Sequence, residues 1–174
     1  RQVPVITWAA PEAITYGTAI GPKQLNAEAD VAGFFVYSPP GGAILNAGEI
    51  TLRATFTPAN LDKYSKVDSE VNLTINKAPL TVSVKNVSRD YGKPDRAFEL
   101  IYDGFVNGED ESVLTALVSA STPAEQDSPP GEYPIILSGG EAANYEITLV
   151  NGTLTVGRQV PVITWAAPEA ITYG

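Results

Sequence analysis

Alternation with a period of two runs through most of this chain. From Glu49 to Thr57, the apolar residues Ile50, Leu52, Ala54 and Phe56 fall on one face, and Thr51, Arg53 and Thr55 fall on the other. That is the pattern of a half-buried strand. Val71, Leu73 and Ile75 alternate with Asn72, Thr74 and Asn76, and Leu80, Val82 and Val84 alternate with Thr81, Ser83 and Lys85. Residues 34–38, 98–102, 133–137 and 145–150 read as further strands. Ser38 to Gly42, Ser128 to Gly131 and the pair Asn151-Gly152 supply turn chemistry between them. Helical periodicity is nearly absent, and Glu111–Leu117 admits one short helical turn at most. Short strands punctuated by turns predict an all-β chain of antiparallel sandwiches.

The pattern also repeats. Arg1–Gly17 reads RQVPVITWAAPEAITYG and returns letter for letter at Arg158–Gly174, 157 residues further on. A period of that length is too long for a solenoid turn and fits beads on a string. The chain therefore reads as one full repeat plus the start of the next, cut from a longer protein. A fainter repeat lies inside it. Tyr16-Gly17 returns as Tyr91-Gly92, 75 residues on, and Gly48-Glu49 returns as Gly131-Glu132. Tyr64 stands nine residues before Leu73, and Tyr145 stands nine before Leu154. These spacings predict two tandem immunoglobulin-like modules, residues 1–78 and 79–157, with 158–174 as the first strand of a further module.

The large side chains expected in the first core are Trp8, Phe34, Phe35, Tyr37, Phe56 and Tyr64. Phe98, Tyr102, Phe105, Tyr133 and Tyr145 are their counterparts in the second. Tyr145 precedes a late strand, where a phenol either folds back onto loop backbone as a tyrosine corner or packs as an ordinary core residue. Tyr64 holds the matching place in the first module.

Composition narrows the chemistry. The chain has 174 residues, 44% of them hydrophobic, with 14 Pro and 15 Gly, and no His, Cys or Met. That absence removes the usual zinc ligands, thiol nucleophiles, disulfides and the commonest general base. A net charge of −9 argues against nucleic acid and anionic lipid as partners. The charge is uneven: residues 1–78 carry a net −1 and residues 79–157 a net −8. No apolar run is long enough to span a membrane, and no leader or lipidation motif is visible. There is no Gly-x-Ser-x-Gly elbow and no Gly-rich phosphate loop.

Several stretches taken together resemble a known family. They are Ile14 to Gly17, Gly104 to Gly108, Ala143 to Tyr145, and Val150 to Leu154. These motifs resemble the MBG repeats of Tyr-Gly-X type, immunoglobulin-like domains of bacterial surface proteins. The second module, over roughly residues 80–157, carries the fuller resemblance, and the first looks like a divergent bacterial Ig-like relative. The resemblance implies large, repetitive, secreted or surface-anchored proteins, often adhesin-like. It brings no catalytic residues, and the chain reads as no enzyme.

Candidate sites are few. Asp103, Glu109, Asp110 and Glu111 form the densest oxygen-ligand stretch, so they are the calcium candidates, set against a solvated acidic loop. No other cofactor is expected. Lys77, Lys85 and Asn86 are the residues for a lysine–asparagine crosslink. Trp8 and its twin Trp165 read either as a carbohydrate-stacking surface or as structural anchors, and the apolar neighbours Val5 and Ile6 favour the anchor. Residues 119–126 and 139–144 are candidate ligand loops. Val160, Val162, Ile163 and Trp165 form an assembly strand with no module behind it. The expected role is a structural repeat unit, outside the cell, whose partners are neighbouring copies placed head to tail. The alternatives are a filament built by donation of the duplicated strand and a glycan- or protein-binding adhesin module.

Overall fold

The computed structural model describes residues 1–174. Six strands precede Lys77: β1 (Ile6–Thr7), β2 (Ile14–Thr15), β3 (Glu28–Ala29), β4 (Gly33–Ser38), β5 (Gly48–Pro58) and β6 (Val67–Asn76). Seven follow it: β7 (Ala78–Val84), β8 (Val87–Asp90), β9 (Leu100–Asp103), β10 (Ala116–Ser121), β11 (Gly131–Glu141), β12 (Tyr145–Val150) and β13 (Gly152–Gly157). The chain is all-β, with one 3-10 turn at Glu111–Val113. The first module sets the pair β1-β3 beside a sheet of order β2-β6-β5-β4. The second sets β12-β7-β9 beside β10-β11-β13-β8. No strand of the first six pairs with any of the last seven.

The alternation seen in sequence sets the registers. β5 runs antiparallel to β6 with Ile50 opposite Leu73 and Leu52 opposite Val71. Leu52, Ala54, Phe56, Leu73 and Ile75 are buried as a result. In β7, Ala78, Leu80, Val82 and Val84 point inward, and they meet Ile135, Leu137, Leu154 and Val156 in one continuous apolar cluster. That cluster also takes in Tyr16, Ile20, Leu52, Leu73 and Ile75, so the two modules share a core across their boundary.

Three backbone hydrogen bonds recur at equivalent places in the two halves of the chain. Each module's first segment enters beside the late tyrosine: Gln2 N–H donates to Lys63 O at 2.8 Å, and Ala78 N–H donates to Asn144 O at 2.9 Å. Each then runs parallel to the last strand. Tyr16 N–H donates to Asn76 O and Tyr91 N–H to Gly157 O, both at 2.8 Å. A β-turn follows at each place, closed by Thr18 N–H on Thr15 O and by Lys93 N–H on Asp90 O. The third residue of each turn is a glycine with positive φ, +96° at Gly17 and +78° at Gly92, a region that side chains disfavour. In the second module, residues 145–150 pair in parallel with 78–83, and residues 154–157 with 87–90. The two segments thus travel together from one pole of the module to the other, ~40 Å at ~3.3 Å per residue.

Several expectations are corrected. Asn151-Gly152 makes no hairpin, because β12 and β13 belong to different sheets and the chain crosses between them there. Asn151 Oδ1 takes the Leu137 N–H at 2.9 Å, and a Cβ on Gly152 would meet Val84 Cγ1 at 2.7 Å. The helical turn stops at Val113, and Ala116 already opens β10. Both candidate loops are partly strand: Ser119–Ser121 lies in β10 and Gly139–Glu141 in β11, with Ser119 opposite Ser138. Phe34 is not a core residue. It is 59% exposed because Phe35 and Tyr37 take the inward phase of β4. The strands β3, β8, β10 and β13 escaped the sequence reading.

These registers predict a contrast in chemical denaturation. Leu73→Ala is expected to cost ~2–5 kcal/mol as a buried leucine truncated in a packed core. Phe34→Ala is expected to stay within ~0.5 kcal/mol.

Candidate functional site: the joint between the modules

A single residue, Lys77, separates β6 from β7. So short a connection forces the exit of the first module against the entry of the second. The Tyr16-Gly17 turn is tied to Asn76, the last residue of β6, and so it is delivered into the joint. Its glycine is required twice over. The backbone needs positive φ, and a Cβ there would meet Val106 Cγ2 at 2.7 Å.

The centre of the joint is the carboxylate of Glu109. Tyr16 Oη donates to Glu109 Oε1 at 2.7 Å, and Tyr145 Oη donates to Glu109 Oε2. Tyr145 Oη also accepts the Val106 N–H at 3.1 Å. Of the two roles left open for Tyr145, the hydroxyl folded back onto loop backbone is the one the structure displays, with a carboxylate added. The rings pack as well as bond. Tyr16 meets Tyr145 edge-on at 5.6 Å between centroids, and Phe105 meets Tyr145 edge-on at 5.4 Å. Asn144 braces the rim: its Oδ1 accepts from Ala47 N at 2.9 Å, and its Nδ2 donates to Asn46 Oδ1 at 3.1 Å. Tyr64, at the matching place in the first module, is held through its backbone, bridged to Gln2.

Both phenols titrate late. Burial, then the hydrogen bond to Glu109, pushes the Tyr145 hydroxyl up to about 12. The hydrogen bond to Glu109, then burial, raises Tyr16. A phenolate beside a carboxylate is disfavoured, so the joint holds together while both hydroxyls keep their protons.

The acidic residues of the stretch are dispersed over different surroundings. Asp103 lies in β9 opposite Thr81. Glu109 is engaged by the two phenols. Asp110 caps the 3-10 turn by accepting from Ser112 N at 2.9 Å, and Ser112 holds its carboxyl below the usual range. Asp103, Glu109, Asp110 and Glu111 form no cluster of metal-ligand type, nor does any other group of three acidic side chains. The lysines meet no asparagine. Lys77 Nζ reaches Ala142 O at 3.5 Å, Lys85 pairs with Glu99 at 3.6 Å, and Asn86 Oδ1 accepts from Thr153 N. Trp8 is half-buried, donates its indole N–H to Gln24 O at 3.0 Å and lies edge-on to Tyr37. Its geometry is that of an anchor.

The duplicated segment exists in two states. In the first copy Pro4 is buried, Ile6 and Trp8 are half-buried, and Val3 and Val5 face solvent. In the second copy Val160, Val162, Ile163 and Trp165 are each more than four-fifths exposed and belong to no strand. Position by position, Ile163 and Trp165 match the inward residues of the first copy, and Val160 and Val162 match the outward ones.

Sequence reasoning missed three residues. Glu109 was visible as an acid but not as the acceptor for phenols 93 and 36 positions away. Asn144 was visible only as part of a motif. Arg89 is 7% exposed, pairs with Asp95 and donates to Glu125 O at 2.6 Å, fastening the pole opposite the joint. The signal for it would have been the strand β8, too short to register as alternation.

Two outcomes follow. Raised phenol pKa values mean that their share of stability is complete below pH ~10 and is lost as pH rises through about 12. Thermal melting of the native chain is expected to fall across that window more steeply than melting of the Tyr16→Phe/Tyr145→Phe variant. Gly17→Ala is expected to cost more than Gly42→Ala. Both glycines have positive φ, but only Gly17 has a neighbour in the way. The difference between the two, read by urea unfolding, isolates the contact with Val106.

Comparison with known proteins adds the following. No curated protein matches the chain. The solved fibronectin(III)-like modules of Clostridium thermocellum CbhA are similar over 88% of this chain and 95% of theirs, at 13% identity and a TM-score of 0.29. Residues 80–155 match the family model of the MBG domain (YGX type), and the match falls on the module that holds Tyr91-Gly92, Glu109 and Tyr145.

Proposed function

We propose that residues 1–157 form the repeating unit of a non-enzymatic, rod-like spacer on a bacterial surface protein. The observation that carries this reading is the joint. Modules tied by one residue, a shared apolar cluster and a carboxylate held between two phenols have little freedom to hinge. A spacer needs that property, because stiff joints make its length additive. The MBG-type match supports a surface repeat protein, since these domains occur in such proteins. The widest surface depression, about 600 Å³, lies at the pole opposite the joint and has no hydrophobic lining residue. Small-molecule sites are mostly apolar, so this feature favours structure over ligand capture. No helix is long and apolar enough to cross a membrane.

The test is the distribution of distances between spin labels placed on Thr51 in the first module and Ser119 in the second, both on exposed strand faces. The native chain is expected to give one narrow peak, and Tyr16→Ala/Glu109→Ala a broad one. A broad native distribution overturns the rod. An unchanged peak in the double variant would take the role away from the carboxylate.

A further inference from the structure

The chain contains one complete joint and both halves of a second. We propose that this second joint, between Gly157 and the copy of the first module that follows it, is a pivot. The array is then a row of stiff units, each of residues 1–157, jointed end to end. This rests on the spacer reading, in which the segment repeated at Arg158–Gly174 opens the next copy. One half of the joint is the Tyr91-Gly92 turn, held against Gly157 as Tyr16-Gly17 is held against Asn76. The other half is the leading pole of the first module, where Gln2 pairs with Tyr64 as Ala78 pairs with Tyr145. Arg158 takes the place of Lys77, again a connection of one residue.

The two joints share a plan and differ in what seats the turn. In the complete joint the seat is the link between β9 and β10, residues 104–115, which supplies Val106 and Glu109. In the first module the corresponding link, between β3 and β4, is residues 30–32. Register fixes the correspondence at both ends. Ala78 matches Gln2, so Thr81 matches Val5; Asp103 faces Thr81, and Asp30 N–H donates to Val5 O. Ala116 faces Glu141 as Gly33 faces Pro58. So short a link runs straight from strand to strand and forms no shelf for a tyrosine. Its one acid, Asp30, is occupied inside its own module, where it accepts from Val5 N at 2.9 Å. The link therefore offers Tyr91 no carboxylate.

The rim changes in the same sense. Gly48 faces Ile75 as Gly131 faces Val156, which sets Pro129 and Pro130 at the places of Asn46 and Ala47. Lys63 stands at the place of Asn144, since their carbonyls accept from Gln2 N and Ala78 N. The complete joint has two rim bonds, from Ala47 N to Asn144 Oδ1 and from Asn144 Nδ2 to Asn46 Oδ1. Neither has a counterpart at the second joint. Pro130 has no N–H, Pro129 has no side-chain acceptor, and an ammonium at Lys63 accepts nothing. The Pro129 carbonyl already accepts from Tyr133 Oη at 2.7 Å. What remains is apolar: the exposed Tyr91 against the exposed Val3 and Leu61, beside Tyr64, of the next copy. Apolar contact is non-directional, so it keeps the two poles together without fixing their angle.

The test uses a chain of two units, residues 1–157 joined to residues 1–174, with spin labels at the same two positions in two arrangements. Labels on Thr51 and Ser119 of the first unit span the complete joint. Labels on Ser119 of the first unit and Thr51 of the second unit span the second joint. Because the label sites are shared, motion of the labels themselves is the same in both. The within-unit distances are expected to form a narrow peak, and the between-unit distances a peak several times as wide. A between-unit peak no wider than the within-unit one overturns the proposal. If both are narrow, the spacer reading stands without its pivot; if both are broad, the spacer reading falls as well.

Discussion

One hydrogen bond orders everything around it: the N–H of the tyrosine in each Tyr-Gly pair, donated to the last residue of its own module. In the first module that acceptor is Asn76, and in the second it is Gly157. The bond places a tight turn at the exit of each module, one residue before the next module begins. A tight turn beside a one-residue connection must touch whatever follows. In this chain it touches Val106, Glu109 and Tyr145. The shared core, the crowded glycine and the late-titrating phenols all follow from where that turn is pinned.

The charge distribution then takes on a specific meaning. The second module carries most of the net negative charge, and one of its carboxylates is spent inside the joint. Removing a carboxylate from water is costly unless it is paired or well hydrogen-bonded. Two phenols supply donors without adding charge. An arginine would have done so with one, at a higher desolvation cost if the pairing were imperfect. The buried Arg89 takes the other solution at the far pole, with Asp95 and backbone carbonyls around it. The second module thus fixes both of its poles with a hydrogen-bonded polar group, Glu109 at the joint and Arg89 at the far end, where strands end and apolar packing runs out.

Much of the fold was legible because strands advertise themselves locally. The alternation in β5, β6 and β7 and the equivalence of the two Tyr-Gly turns needed only the sequence. Phe34 misled because aromatic character says nothing about phase. Its neighbours Phe35 and Tyr37 take the inward phase, and only pairing with β5 decides which set wins. Asn151-Gly152 misled because the same dipeptide that favours a hairpin also suits a crossover where a side chain would strike Val84. The joint was legible in its parts, Tyr16-Gly17 and Tyr145, but not as a site. Its central contact spans 93 residues, and an acid in a Gly-rich loop reads locally as a cation ligand.

The parallel pairing of early and late strands has a mechanical consequence. A molecule stretched between its ends pulls the start of each module one way and its finish the other. When those two segments lie side by side and run in parallel, tension shears the ladder and loads all its bonds together rather than peeling them one at a time. β8 and β13 share four paired positions, whereas β2 and β6 share two. Under tension the first module is the fuse and the second is the clamp. A chain with one weak and one strong ladder in series extends in steps, the weaker ladder yielding first.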